Sequence, residues 1–174
     1  MPVENLESLF KSWLVEHDGA VLKVARAYTL TTEDCQDLVQ EILLQVWCSL
    51  PRFQGKAGAS TWFYRVALNT ALGWHHKERR RRGRQQPLFE VEDLSISGLD
   101  GAGQVARREA VERLYAAIRR LPKADTALVL LYLDDLSYRE MAEVLGISEG
   151  NVGVKLNRAK KALGELMKEE SHGP

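Results

Sequence analysis

Several residue types that mark particular protein classes are scarce in this 174-residue sequence. It contains 2 cysteines, 5 prolines and 7% aromatic residues, and its 24 basic side chains are balanced by 24 acidic ones. Two cysteines are too few for a disulfide-stapled fold, and so few prolines argue against a turn-rich all-β fold. Runs without a charged residue reach only about half of the roughly 20 residues in a membrane-spanning helix. Because the first residues also lack the pattern of a secretory signal, we expect a soluble, mostly helical protein in the cytoplasm.

The two cysteines, Cys35 and Cys48, fall in one segment that we predict to be helical. At about 1.5 Å per residue they would lie roughly 20 Å apart, whereas the Cα atoms of bridged cysteines lie roughly 6 Å apart. They therefore cannot bridge each other. Since no CxxC pair or histidine cluster accompanies them, we expect both thiols to be small buried apolar groups without a redox or metal role.

Charge is distributed unevenly although the net charge is zero. Residues 1–50 carry three basic and eight acidic side chains, whereas residues 51–86 carry nine basic side chains and one acidic. Residues 87–106 have four acidic side chains, no basic one and three glycines, a composition typical of an acidic flexible linker. We predict a first domain at residues 1–83, a linker at residues 84–106 and a second domain at residues 107–174.

One long helix of the first domain is well marked at both ends. Thr31 and Asp34, three residues apart, form a capping pair, and Pro51 ends the pattern. Apolar residues recur between them at helical spacing: Leu38, Ile42, Val46 and Leu50. The pattern predicts an amphipathic helix over residues 32–49.

Other helices flank this one. Two shorter helices are expected before it, near residues 6–15 and 20–28. After it, two glycines predict a loop over residues 51–60. Ser60 or Thr61 is expected to cap a second long helix that continues into a group of arginines.

Four helices are predicted in the second domain. An apolar repeat ends at Pro122, and the next apolar run, residues 128–133, could be a buried strand by composition, but the alanines before it favour a helix. Ser137 and Glu140 form a capping box that starts a short helix ending at Gly146. The last helix is marked by apolar residues spaced four and three apart: Val152, Leu156, Ala159, Leu163 and Leu166.

Residues 137–163 have the spacing of a helix-turn-helix, with Gly146 in the turn and Ala142 allowing the two helices to approach closely. With the apolar stripe facing inward, the outward and flanking positions are Asn151, Val154, Lys155, Asn157, Arg158, Lys160 and Lys161. Four basic residues and no acidic one lie between Gly150 and Gly164, which suits a helix against DNA phosphates. The alternative is a protein-binding helical hairpin with a solvated basic face.

Residues 60–84 place aromatic rings beside cations. Trp62, Arg65 and Asn69 precede a run of arginines at residues 79–82. Rings stack on unpaired bases and guanidinium groups contact phosphates, so this pattern is typical of single-stranded nucleic-acid binding. On the residues alone, Trp62 can instead be a core residue, and the arginine run can be a solvated helix end.

Three stretches together resemble the sigma-70 family, extracytoplasmic-function (ECF) subgroup. They are DLVQEILLQVW at residues 37–47, TWFYRVALNTAL at residues 61–72 and RLPKADTALVLLYLDDLSYREMAEVLGIS at residues 120–148. The resemblance covers nearly the whole chain except the linker. It implies an all-α, two-domain transcription initiation factor, without catalytic activity or cofactor, that binds core RNA polymerase and directs it to promoters.

The resemblance also implies roles for residues of this chain. In the first domain, the residues that bind the polymerase clamp helices would be Asp37, Gln40 and Glu41. Those that contact and melt the minus-ten element would be Trp62, Arg65, Asn69, Arg79, Arg80, Arg81 and Arg82. In the second domain, which would also meet the polymerase flap, those that recognise the minus-thirty-five element would be Asn151, Gly153, Val154, Lys155, Asn157, Arg158 and Lys161. Because many relatives are held by a cognate anti-sigma factor, one is a further expected partner, and no membrane insertion is expected.

Two places in the sequence differ from the pattern usual in this family. Ala59 stands where an aromatic residue is common, three positions before the tryptophan, and Gly153 and Val154 stand where a basic residue and a serine are common. A valine can contact a thymine methyl but cannot hydrogen-bond a base edge. We therefore expect Asn157 to make the main polar contact with a base.

Two other functions remain possible on the residues alone. One is a dimeric helix-turn-helix regulator, and the other is a polymerase-binding factor without promoter-melting activity. An enzyme is not expected, because no GxSxG, HExxH or P-loop motif is present. His75 and His76 are adjacent, about 100° apart on a helix, and are not expected to bind a metal.

Overall fold

A computed structural model of the protein describes residues 3–84 and 102–171. Most of this part is helical, and it contains no strand, which confirms the all-α fold class. The helices are α1 (Val3–Tyr28), α2 (Thr32–Ser49), α3 (Ala59–Arg84), α4 (Ala102–Arg120), α5 (Lys123–Leu133), α6 (Tyr138–Leu145) and α7 (Glu149–Ser171), with a short 3-10 turn at Leu50–Arg52. Within the described ranges, no helix has the length and apolar composition of a bilayer-crossing segment.

α1 is one continuous helix, so the prediction of two shorter helices in this region is wrong. Gly19 lies between the two predicted helices. Glycine destabilises a helix by roughly 1 kcal/mol relative to alanine. Trp13 before it and Val21 and Val24 after it are nevertheless buried in one shared core. Burial of this stripe against α2 and α3 outweighs the cost of a single glycine.

α2 has the predicted boundaries and the predicted apolar stripe. The side-chain oxygen of Thr31 accepts the backbone N–H of Asp34 at 3.1 Å, which caps the start of the helix. The end of α2 leads into the 3-10 turn that contains Pro51. The stripe residues are 0% exposed: Leu38, Ile42 and Val46.

α3 starts earlier than predicted. The Trp62 N–H donates to the Gly58 carbonyl at 3.0 Å, so the helical hydrogen-bond ladder is already established there. Ser60 and Thr61 consequently lie in the first turn, and the prediction that one of them caps the helix is wrong.

The four helices of the second domain confirm the predicted pattern. The run that could have been a strand belongs to α5, whose middle is buried: Thr126, Ala127, Leu128, Val129, Leu130 and Leu131. At the start of α6, Ser137 Oγ accepts the Glu140 N–H at 3.2 Å and Glu140 Oε2 accepts the Ser137 N–H at 2.8 Å. The Ser137 hydroxyl also donates to Glu140 Oε2 at 2.7 Å, and this bond, together with the one from the Ser137 N–H, lowers the pKa of the Glu140 carboxyl. Gly146, with φ 67°, ends α6, and α6 and α7 form the predicted helix-turn-helix.

The predicted linker, residues 84–106, overlaps both neighbouring helices. α3 extends to Arg84 and α4 begins at Ala102, so the last five residues assigned to the linker are helical. Alanine and glutamine among them favour a helix, and the acidic residues that mark the linker all precede them. The rest of the predicted linker, residues 85–101, lies outside the described residues.

The two domains contact each other. α1 lies against α4 and α5, and α3 lies against α6. Asp134, directly after α5, forms an ion pair with Lys23 and accepts a hydrogen bond from the Tyr64 hydroxyl. Burial raises the pKa of Tyr64, and the hydrogen bond to Asp134 raises it further. A second ion pair joins Arg26 to Glu112, and the guanidinium of Arg26 lies 4.2 Å from the centre of the Tyr115 ring.

The expectation that both cysteines are buried is confirmed for Cys35 and wrong for Cys48. Cys35 faces the hydrophobic core from α2, whereas Cys48 is on the outer surface of the same helix. Burial also raises the pKa of the Cys35 thiol, although a hydrogen bond with Thr29 and the charge of Arg26 act in the opposite direction.

A thiol reagent at mildly alkaline pH should therefore label Cys48 at once and Cys35 only after unfolding, because the thiolate is the reactive form. With a disulfide reagent that releases thionitrobenzoate, the absorbance of the released product measures the labelling rate of each thiol. Fast labelling of both thiols in the native protein would contradict the described packing of α2.

Candidate nucleic-acid interface

The acidic face of α2 is exposed as predicted. Asp37 and Gln40 are exposed, and Glu41 is half-buried and accepts a hydrogen bond from Gln45 Nε2 at 3.0 Å. Because residues three and four apart lie on one side of a helix, these polar groups form a continuous surface. It faces away from the buried stripe of α2.

This surface continues into apolar residues that the sequence analysis missed. Leu44 is 53% exposed and Trp47 is 36% exposed, at successive three-residue steps after Glu41. The Trp47 ring is held edge-on against Phe10 of α1, with 5.2 Å between ring centres. The helical spacing could have identified both residues, since they extend the line of the acidic positions. An acidic edge beside exposed apolar side chains is typical of a protein-binding surface.

Trp62 lies in a cluster of three aromatic rings. Its ring centre is 5.4 Å from that of Trp13 in α1 and 5.4 Å from that of Phe53 in the loop before α3, and Trp13 and Phe53 are 5.0 Å apart. Trp62 is therefore half-buried and joins α1, α3 and the loop. Phe53 anchors the loop in this cluster. Ala59, at the position where an aromatic residue is common in the family, contributes no ring.

Arg65 and Asn69 are exposed and lie on the same face of α3 as Trp62. Asn69 lines a shallow groove of about 390 Å3 together with Glu41 of α2, so the structure brings together residues predicted to bind two different targets. Arg65 donates a hydrogen bond from Nη2 to the backbone carbonyl of Glu143 in α6. Trp62, Arg65 and Asn69 thus form one continuous face, and Arg65 contacts the second domain.

The arginines near the end of α3 are separate from this face. They begin ten residues after Asn69, about 15 Å further along the helix axis. Arg79, Arg80 and Arg81 are exposed, and Arg81 forms an ion pair with Glu78 at 3.1 Å. The side chain of the fourth, Arg82, lies outside the described residues. The run supplies positive charge beyond the aromatic cluster.

α7 presents the predicted surface. Its inner stripe is 0% exposed at Val152, Leu156 and Ala159, which fixes the rotation of the helix. The side chains exposed on the other side are Asn151, Val154, Asn157, Arg158, Lys160 and Lys161, and Lys155 is half-buried. Ser148 Oγ accepts the Asn151 N–H at 3.2 Å and so caps the first turn.

Gly153 is in contact with an aromatic ring of α6. A Cβ atom at this position would lie 3.5 Å from Cε2 of Tyr138, so the ring rests on the glycine. Tyr138 is 43% exposed and Val154 is 68% exposed, which makes the start of α7 apolar on this side. The sequence analysis did not include Tyr138, although its place directly after the Ser137 cap puts it at the helix end that meets α7.

No metal centre is found in the described ranges. Within residues 3–84 and 102–171, no group of three histidine, cysteine, aspartate or glutamate side chains could hold an ion. The ring centres of His75 and His76 are 6.2 Å apart. Burial lowers the pKa of His75, and the charges of Lys123, His76 and Arg79 lower it further.

Comparison with known proteins assigns both domains. Residues 13–81 match sigma-70 region 2, and residues 111–163 match sigma-70 region 4. The chain is 30% identical over 152 residues to the ECF RNA polymerase sigma factor SigM of Mycobacterium tuberculosis, which covers 87% of this chain and 73% of that protein. This chain belongs to the sigma-70 family, in its ECF subgroup. It is 26% identical over 168 residues to the ECF RNA polymerase sigma-E factor of Escherichia coli, covering 90% of this chain and 85% of that protein.

Two solved structures share the fold. The sigma factor RpoE of Bartonella quintana, in complex with the anti-sigma factor NepR, has a TM-score of 0.73 at 20% identity and covers 91% of this chain and 96% of that one. CnrH, in complex with the cytosolic domain of CnrY, has a TM-score of 0.66 at 20% identity and covers 93% of this chain and 89% of that one.

Membership of this family gives the function in outline. The chain is an ECF sigma factor, a transcription initiation factor that directs RNA polymerase to promoters. A dimeric helix-turn-helix regulator is not favoured, because the match extends over the first domain as well as the second.

Proposed function

We propose that this sigma factor uses three surfaces, one for core polymerase and one for each promoter element, of which the first two adjoin at the groove between Glu41 and Asn69. The observation that carries the proposal is the first half of α7, the second helix of the helix-turn-helix. There the buried stripe Val152, Leu156 and Ala159 leaves exposed a face that is basic and has no acidic residue between Gly150 and Gly164. Such a helix enters the major groove with its first turns at the base edges. The other two surfaces lie on the first domain.

The acidic–apolar face of α2 is our proposed binding site for core polymerase. Asp37, Gln40 and Glu41 would meet the clamp helices, with Leu44 and Trp47 supplying apolar area at the centre of the contact. Apolar and aromatic anchors surrounded by polar groups are the usual source of affinity in protein interfaces. The flap of the polymerase would meet the second domain.

The face of α3 is our proposed minus-ten surface. Asn69 is exposed, Arg65 can contact DNA once its hydrogen bond to Glu143 is broken, and the arginine run would hold phosphates. Trp62 would act mainly by positioning, because its ring is packed between Trp13 and Phe53. The ring edge that remains exposed can still meet a base at the loop.

The minus-thirty-five surface would combine one polar side chain that hydrogen-bonds a base edge with several side chains that contact phosphates. Asn157 is exposed in the middle of the outer face, where an amide can pair with a base edge. Val154 beside the Tyr138 ring offers an apolar contact for thymine methyl groups. Lys155, Arg158 and Lys161 would position the helix on phosphates, and Asn151 and Gly153 would let its first turn approach the groove.

The remaining assignments follow from the family. We propose that the chain has no catalytic activity of its own, needs no cofactor and works in the cytoplasm, where polymerase and promoters are. A cognate anti-sigma factor is a proposed partner, since both solved relatives were captured in complex with a protein partner.

Permanganate footprinting tests the melting assignment, because permanganate oxidises unpaired thymines. Holoenzyme with the natural chain should make minus-ten thymines reactive, and Arg65→Ala with Asn69→Ala should remove most of that reactivity. Arg113→Ala, an exposed arginine of α4, is the matched control and should behave as the natural chain. Equal reactivity in all three proteins would contradict the assignment of α3.

The arginine run should contribute through phosphates alone. Replacing Arg79 and Arg80 with glutamine should flatten the salt dependence of promoter binding by about 0.9 per lost duplex contact, and less on single strands. Lys11→Gln, an exposed lysine of α1, should leave the slope unchanged. An unaltered slope after the arginine substitutions would mean that these side chains touch no phosphate.

A further inference from the structure

A cavity of about 490 Å3 lies where five helices come together. Its lining residues belong to the end of α1 and the loop after it, the start of α2, the second half of α3, the end of α4 and the start of α5. Sites for small molecules usually have roughly 300 to 1,000 Å3, whereas a water molecule occupies only about 30 Å3. The cavity is therefore large enough for an organic molecule, and a bare ion would fill little of it.

Part of the lining is apolar and aromatic. It consists of Ala27, Leu30 and the rings of Tyr28 and Trp74. The Tyr28 hydroxyl donates to the Lys123 carbonyl at 2.9 Å, which holds that ring in place, and Trp74 is half-buried. Aromatic and apolar walls with a few convergent polar groups are typical of small-molecule sites. This part of the cavity suits a flat apolar body.

The two lining residues from the second domain are both cations, Arg119 and Lys123. Lys123 Nζ donates to the Arg119 carbonyl at 3.1 Å and lies 5.6 Å from the centre of the Tyr28 ring. Arg119 Nε donates to the Arg26 carbonyl at 3.1 Å, but its buried Nη2 atom has no hydrogen-bond partner in the described ranges. Among the described residues, neither cation forms an ion pair. Both are therefore available to an anion.

The surroundings of these cations disfavour their charge. Burial lowers the pKa of Lys123, and the charge of Arg119 lowers it further. Burial also lowers the pKa of Arg119, although the charge of Glu112 acts in the opposite direction. Two carboxylates line the cavity, Asp34 and Glu78, but both already interact with other residues. A negative charge beside the two cations would offset the cost of their burial.

We propose that this cavity binds a small organic anion, in which a flat apolar body carries a carboxylate or a phosphate. The oxyanion lies at Arg119 and Lys123, because a guanidinium pairs with two oxygens of such a group and an ammonium adds a point charge. The apolar body lies against Tyr28 and Trp74. Binding needs neither polymerase nor promoter DNA, so this ligand site goes beyond the proposed function and does not depend on it.

Isothermal titration calorimetry of the full chain with naphthoate tests the site. Naphthoate carries a carboxylate on two fused rings and is small enough for the cavity. Its Kd should be about 0.1 mM, as the affinity per atom of small ligands suggests. Naphthamide has the same shape without the charge and should bind about tenfold more weakly. Equal binding of the acid and the amide, or no binding of the acid, would overturn the proposal.

Two phosphates separate the roles of the charged group and of the rings. Naphthyl phosphate should bind, and comparison with naphthoate shows which oxyanion the cations prefer. Inorganic phosphate should bind about tenfold more weakly than naphthyl phosphate, because it leaves the aromatic part of the cavity empty. If the two phosphates bound equally well, the cavity would take only an ion and the proposed ligand class would be wrong.

Lys123→Gln should weaken binding of naphthoate by about tenfold and leave binding of naphthamide unchanged, because only the charge is removed. Arg113→Gln, at an exposed arginine of α4, is the matched control and should bind both compounds as the natural chain does. Arg119→Gln is a second variant if circular dichroism shows that Lys123→Gln does not fold. Folded variants with the affinity of the natural chain would place the bound anion outside this cavity.

A single-stranded DNA oligonucleotide serves as the competitor in the last titration. It should not displace naphthoate, because the proposed ligand fills a cavity with aromatic walls, whereas a DNA strand needs a groove that its backbone can follow. Displacement of naphthoate by the oligonucleotide would assign Arg119 and Lys123 to nucleic-acid phosphates and would overturn the small-molecule site. Failure of promoter melting or of polymerase binding in the other experiments would leave these titrations unaffected.

Discussion

Replacing Leu44 with glutamine should weaken binding of core polymerase to the full chain by about tenfold or more, as for a central apolar anchor of an interface. Leu44 is 53% exposed in the free chain and lies in line with the acidic residues of α2. Its loss removes apolar area from the contact without opening the core. Fluorescence anisotropy of dye-labelled chain titrated with core polymerase measures the affinity.

Val15→Gln is the control for this prediction. Val15 is 82% exposed, also apolar and also helical, but it lies on α1 outside the α2 surface. Both substitutions should change the free energy of unfolding by less than about 0.5 kcal/mol, as expected at exposed positions. Asp37→Ala with Gln40→Ala should weaken polymerase binding in the same direction as Leu44→Gln. If Leu44→Gln and Val15→Gln bound polymerase equally well, the assignment of α2 would be wrong.

Replacing Asn157 with alanine should relax the base preference at one or two minus-thirty-five positions by roughly 1 to 3 kcal/mol. Asn157 is an exposed amide in the middle of the outer face of α7, where its neighbour Val154 offers only an apolar contact. Of the two exposed amides on this face, Asn151 and Asn157, we expect Asn157 to make the main hydrogen bond to a base. Sequencing of promoters selected by holoenzyme from a randomised minus-thirty-five library measures the preference.

Lys155→Ala provides the contrast, because a lysine on a phosphate binds every sequence alike. It should lower the affinity for all library members by a similar factor and leave their ranking unchanged. If Asn157→Ala also lowered the affinity for all library members by a similar factor, Asn157 would contact only the DNA backbone or water. DNA shape and apolar contacts would then be the source of specificity.

Helices with strong patterns at both ends were predictable from the sequence. α2 has a threonine cap, a four-residue apolar repeat and a following proline, and these agree with one another over its whole length. α6 has a capping box and a glycine end, and both are present in the structure. Local features that agree in this way fix an element without knowledge of its neighbours.

Other elements depend on tertiary contacts that no local pattern contains. Two helices were predicted near residues 6–15 and 20–28, but burial on both sides of Gly19, which lies between them, keeps α1 continuous. The ring of Trp62 suited either a core or a base contact, and only the positions of Trp13 and Phe53 favour packing. Cys48 lies on the side of α2 opposite the buried stripe, so helical spacing alone favours an exposed side chain, and the expectation of burial followed only from the residue type.

The contacts between the domains were not predictable at all. Lys23 and Asp134 are 111 positions apart, and Arg65 and Glu143 are 78 positions apart. Lysine, aspartate, arginine and glutamate are residue types that usually lie on the solvated surface, so the sequence alone does not mark these four as contacts between domains. The sequence therefore identified Arg65 as a DNA-contact candidate but carried no indication that it contacts the second domain.

Run-off transcription with core polymerase and fragments of bacterial DNA tests the central claim most directly. Addition of the natural chain should produce transcripts from a defined subset of fragments that core polymerase alone does not transcribe. A chain carrying Leu44→Gln should need about tenfold more protein for half-maximal transcription, in proportion to its weaker polymerase binding. Absence of stimulation on every fragment, with the chain folded and bound to core polymerase, would contradict the account.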